Sequence, residues 1–199
     1  MKGTNIKGIY RDVLSSNGKT LVDAGWKSNA IVEDYGRFLA ALMKKDFTSE
    51  DKVGIEYMAV GSGSKDDAEF KSRVTSFFNS GNLDQPYKLG SEDYWVWAKK
   101  IDVNNIKYIN KEGKEIDTVT NKLKIAVTFG ENEPSKESLA FKEFALLGID
   151  KKSNGTFNTD KMFFINYVDH GLITKDKSIE LTRTIILTFP IEEAEEVNP

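Results

Sequence analysis

The sequence predicts a mainly β (α+β) fold: an antiparallel β-sandwich carrying one long amphipathic helix near residues 29–45. Three observations lead there. Short apolar runs with period-two alternation recur over the second half of the chain. Glycine-containing turns separate them. A single long stretch, from Ile31 to Met43, carries apolar residues at helical spacing instead.

Taken in order, Ile6–Ser15 and Thr20–Gly25 read as two strands joined by Ser16-Asn17-Gly18-Lys19. Asn-Gly suits a tight hairpin because both central residues of a type I′ turn need positive φ. Ser28 or Asn29 is a candidate N-cap for the helix, whose apolar face is Ile31, Val32, Tyr35, Phe38, Leu39, Leu42 and Met43. Ile55–Val60 reads as a buried strand running into the flexible turn Gly61-Ser62-Gly63-Ser64, where Gly61 and Gly63 permit positive φ or close backbone approach. Asp66–Phe78 reads as a short helix or an extended arm, and 79–91 as a loop. Strands follow at Tyr94–Trp97, around Ile106–Ile116 with a loop at Asn110–Lys114, at Leu123–Phe129, at Phe141–Ile149 closed by the Asp150–Gly155 stretch, with Gly148 ending its Phe141–Leu147 run, and at Met162–Val168. Asp169-His170-Gly171 reads as a turn before the last strand, Ile179–Phe189, in which Leu181, Ile185 and Leu187 oppose Thr182, Thr184 and Thr188. The expected organisation is one structural domain over 1–199, with an N-terminal hairpin or arm (about 1–27) and a mobile acidic tail (about 191–199).

Composition narrows the chemistry. With 28 basic and 31 acidic residues the formal charge is -3, so the surface is mixed rather than basic and a nucleic-acid role is not expected. No run approaches the roughly 18 apolar residues of a membrane span, and the N-terminus lacks the apolar stretch of a signal peptide. Cys is absent and His170 is the sole histidine, which removes disulfides, thiolate sites and any site built on two imidazoles of one chain.

His170 beside Asp169 and Gly171 has no G-x-S-x-G nucleophile motif to serve and reads as a surface turn residue. Gly61-Ser62-Gly63-Ser64-Lys65 lacks the spacing of a phosphate loop, and Asp66 stands where a dinucleotide motif needs its third glycine. The Asp150–Gly155 turn lacks the ligand pattern and closing Glu of an EF-hand. No catalytic residues, cofactor or metal are therefore expected.

Trp26-Lys27-Ser28-Asn29, then Ile55–Gly63, Phe141–Gly148, Lys161–Tyr167 and Ile179–Phe189 occur in an order that resembles virion structural proteins of tailed bacteriophages and phage-derived particles. The resemblance implies a non-enzymatic component of the tail, baseplate, fibre-attachment or neck region. It implies a homo-oligomer bound to other virion proteins, made in the host cytoplasm and residing in the particle. Trp26, Gly61, Gly63 and Gly148 are the assembly or turn positions it marks. Two rivals stand beside it: a carbohydrate- or receptor-binding β-sandwich using Trp95 and Trp97 as an exposed platform, and a hydrolase built on Asp93 and Glu143.

Overall fold

The computed structural model describes residues 7–31, 54–88, 94–118, 120–135, 137–152 and 154–189. Twelve strands and one helix account for most of them: β1 (Lys7–Ser16), β2 (Lys19–Ile31), β3 (Tyr57–Gly61), α1 (Asp67–Ser80), β4 (Tyr87–Lys88), β5 (Trp95–Lys100), β6 (Ile106–Ile109), β7 (Glu115–Ile116), β8 (Lys122–Phe129), β9 (Leu139–Lys151), β10 (Phe157–Phe164), β11 (Asn166–Lys175) and β12 (Glu180–Thr188). Every pairing is antiparallel. The mainly β expectation is met.

The strands form two groups. One runs β2-β1-β12-β8-β6-β7 and the other β4-β5-β3-β9-β11, with β10 beside the far half of β9. A short pairing of Asn166 with Ile31 and Tyr167 with Ala30 joins them. Their inner faces stack through aromatic contacts: Tyr10 on Phe144 at 5.1 Å between ring centroids, Phe129 on Phe141 at 5.8 Å and Trp97 on Phe129 at 6.1 Å. These edge-on and tilted arrangements suit the ring quadrupoles and fill the sandwich core.

The second group is covered on its other face by α1. Asp66 caps that helix by accepting from the Glu69 amide at 2.9 Å, and Gly81, at φ 71°, closes it with its N–H on the Phe78 carbonyl. Phe70, Val74 and Phe77 form the buried stripe expected of an amphipathic helix. Phe70 meets Phe164, and Phe78 meets Tyr57 and Phe157. β3 is consequently buried on both faces, with Met58, Ala59 and Val60 fully covered.

Several expectations are corrected. Ser28–Ile31 continue β2, with Ser28 opposite Ile9 and Asn29 opposite Gly8, so no helix is capped there. Ladder pairing to β1 and β11 satisfies the backbone that a helix start would have used, and tertiary pairing overrides periodicity. The rest of the 29–45 helix, like the acidic tail, lies outside the described residues. β1 is not an appended arm: it is flanked by β2 and β12, nine of its residues pairing with the latter. Asp169-His170-Gly171 lies within β11 rather than at a turn. Gly148 does not end its strand but sits inside β9, opposite Phe163. The Asn-Gly hairpin holds, with Asn17 at φ 50° and Gly18 at φ 70°.

Candidate functional site

On the α1 side of the second sheet, Glu143 stands directly across from Gly61 in the β3–β9 ladder. The glycine is what lets the carboxylate lie over its neighbour: a Cβ there would come within 2.5 Å of Glu143 Oε1 and 3.0 Å of the Phe70 ring. Glu143 Oε1 then accepts from the Gly63 amide at 3.0 Å, the Ser64 hydroxyl at 3.1 Å and Arg73 Nη2; Tyr167 donates to Oε2 at 3.2 Å. Arg73 Nη2 also donates to the Gly63 carbonyl at 3.0 Å and contacts Ser64 Oγ. Ser62 completes the fastening, its Oγ accepting from the Trp95 amide at 3.0 Å. Burial raises the Glu143 pKa, opposed by Arg73 and by the Ser64, Gly63 and Tyr167 donors. Burial, with Glu143 adding to it, raises that of Tyr167 as well.

Above this cluster the surface opens into a trough of about 540 Å³ lined by Ser62, Gly63, Ser64, Lys65, Glu69, Tyr94, Lys142 and Asp169. Gly63 adopts φ 111°, a conformation that favours glycine, so the loop can turn both its N–H and its C=O onto the buried pair.

A second polar cluster lies inside the sandwich. Asp12 and Arg183 face each other across the β1–β12 ladder. Arg183 Nε and Nη2 grip the two Asp12 oxygens at 2.6 and 3.0 Å, and Nη2 also meets His170 Nε2 at 3.0 Å. His170 Nδ1 lies 2.7 Å from the Gly171 carbonyl. With Nδ1–H donating to that carbonyl and Nε2 accepting from Arg183, the imidazole is neutral. Burial, and secondarily the Arg183 charge, lower its pKa to about 4 against the partial opposition of the Gly171 carbonyl, Asp12 and Asp169. The Arg183 guanidinium also lies 4.0 Å from the Phe144 ring centroid.

The third feature is a surface. Beyond Ser15 the β1–β2 hairpin carries Leu21 at 55 % exposure, Val22 at 52 % and Trp26 at 46 %. Leu21 is the extra residue where the register with β1 shifts between the Leu14–Val22 and Ser15–Thr20 pairs, and both Leu21 and Val22 meet solvent. Between Asp23 and Trp26 the register with β1 shifts, and Gly25 adopts φ 68°. Arg11 pairs with Asp23 and lies 5.9 Å from the Trp26 ring centroid.

The marked residues therefore scatter. Trp26 is exposed on the hairpin; Gly61 and Gly63 belong to the Glu143 cluster; Gly148 is buried in β9. Trp95 and Trp97 are 2 % and 8 % exposed, so no tryptophan platform exists. Glu143 is engaged by four donors rather than facing another carboxylate across a cleft, and Asp93 lies outside the described residues. Asp12, Arg73 and Arg183 were not marked by sequence reasoning. Asp12 and Arg183 did carry a signal, each occupying an inward position of an alternating strand; Arg73 and Glu143, seventy residues apart, carried none. No group of His, Asp or Glu among the described residues is arranged to hold a metal, and none of their helices is long and apolar enough to cross a membrane. No protein-family model, curated protein or solved structure matches the chain.

Proposed function

We propose that this chain is a non-enzymatic structural component of a phage-type particle, working by assembly with copies of itself or with other particle proteins. The phage-type part rests on the resemblance of the ordered segments described above. The observation that supports assembly is the exposed hairpin: Leu21, Val22 and Trp26 present apolar side chains on a strand with no described partner along its outer edge between Lys19 and Ser28. Exposed apolar groups gathered on one projecting element mark an interaction surface. The Gly25 irregularity bends this edge, and such bulges oppose continuous strand addition. Docking therefore uses the side chains of the hairpin end rather than an uninterrupted added strand.

The test is light scattering and negative-stain electron microscopy on the full chain beside Leu21→Asp/Val22→Asp. Ring or multimer formation by the native chain, lost in the charged variant with the circular dichroism spectrum unchanged, is the expected result. A native chain that stays monomeric at high concentration and does not bind purified phage-type particles would overturn the reading.

A further inference from the structure

We infer that the trough beside Tyr94 is a binding site for a neutral saccharide. Its rim carries two ammonium groups, Lys65 and Lys142, and two carboxylates, Glu69 and Asp169. Such a rim has no net charge to attract an ion. It offers donors and acceptors together, and a polyhydroxylated ligand, whose every OH does both, can use each kind.

Tyr94 supplies the apolar face. Tyr94 is 51 % exposed at the edge of the trough, although it adjoins the buried Trp95. An exposed aromatic plane beside convergent polar groups suits the C–H face of a sugar ring.

Arg73 adds an independent observation. It is 3 % exposed, its Cζ lies 5.9 Å from the Tyr94 ring centroid, and its Nη2 is bonded to Gly63 and Ser64, which line the trough. Yet its Nε and Nη1 have no acceptor. Both of those nitrogens are sealed from solvent and Arg73 does not itself line the trough, so its part is to fix the wall through Gly63 and Ser64. The wall is preformed, since Glu143 and Arg73 hold Gly63 and Ser64 from below; binding need not order that loop.

The test is saturation-transfer NMR and calorimetry of the full chain against neutral di- and trisaccharides of hexoses and N-acetylhexosamines, free and as bead-bound polysaccharide. Binding of at least one, made about tenfold weaker by Tyr94→Ala and weakened also by Asp169→Asn, is the expected result. Trp26→Ala, at a residue that does not line the trough, leaves it unchanged. Response to free sugars identifies a small-molecule site, and response to polymer alone a surface-glycan site; either supports the proposal. Absence of binding throughout overturns it. So do retention of affinity in both trough variants, loss in Trp26→Ala with retention in Tyr94→Ala, and preference for acidic peptides over every sugar.

Discussion

Arg183 and Arg73 are both almost wholly buried, at 0 % and 3 % exposure, and each is paired with a buried carboxylate. Their surroundings differ in a way that separates architecture from a working surface. Arg183 meets Asp12 side-on through two nitrogens, directly across a ladder, with strands on both sides and Phe144 against its face. The geometry is bidentate and the site is closed. Arg73 instead crowds Glu143, Ser64 and the Gly63 carbonyl onto one nitrogen; its Nε and Nη1, like Arg183 Nη1, have no acceptor. What the second pair holds is a loop, and above that loop is open solvent. One pair ties two strands together inside a core; the other shapes the wall of a trough.

The comparison breaks first at Arg183. Arg183→Met removes the partner of Asp12 while preserving much of the packing against Phe144, leaving a carboxylate that is 1 % exposed with no counter-charge. Stranding one member of a buried pair costs about 3–5 kcal/mol. Urea denaturation should show a loss of that size, and Asp12→Leu in the same chain should restore most of it. A loss below about 1 kcal/mol would mean water reaches Asp12 and the site is not closed.

Glu143→Gln probes the other pair with a smaller expected loss. The amide oxygen still accepts from Gly63 and Ser64, but Arg73 loses its counter-charge beneath a trough that admits water. A loss of about 2 kcal/mol, within the range for hydrogen bonds to charged groups, is expected. The sharper measurement is local. Amide exchange at Gly63, whose N–H would keep only the weaker, uncharged acceptor of an amide no longer paired with Arg73, should accelerate, while amides of β8 and β12 change only with global stability. Equal acceleration everywhere would show that this pair too is architectural.

What was legible in the sequence follows the same division. β8 and β12 alternate cleanly because each has one face in the sandwich core and the other half-exposed, as Leu181, Ile185 and Leu187 against Thr182, Thr184 and Thr188 show. The Asn17-Gly18 turn was legible because its backbone demand is local. Ser28–Ile31 misled because their strand state depends on β1 and β11, both distant in sequence. Gly61 was legible as a close approach, but not what approaches: Glu143 meets it only through the ladder. Asp169-His170-Gly171 has turn-forming composition, yet β11 needs those polar residues. Its pleat sends Tyr167 and Asp169 toward the trough side and Val168 and His170 into the sandwich. Consecutive residues thus serve the two polar clusters on opposite faces, an assignment that requires knowing where the sheet lies.

His170 allows the closed cluster to be sharpened by pH alone. Its folded pKa of about 4 lies below the ordinary value of 6.5, so the unfolded chain takes up the proton first. Above about pH 6.5 both states are neutral at this residue and its contribution is constant. As pH falls from 6.5 toward 4, stability declines by at most about 1.4 kcal/mol per pH unit, and below 4 the slope from this group vanishes. Burial disfavours the charged imidazole, and protonated Nε2 would also turn a donor and a positive charge toward Arg183 Nη2, which now donates to it. His170→Asn removes the imidazole and should flatten this part of the stability–pH curve relative to the native chain, even if it lowers stability at every pH. The carboxylates of both chains still titrate there, so the difference between the two curves is the quantity to measure. A difference that stays constant between pH 6.5 and 4 would place the imidazole in contact with solvent, and the Asp12–Arg183–His170 cluster would then be no more closed than the pair beneath the trough.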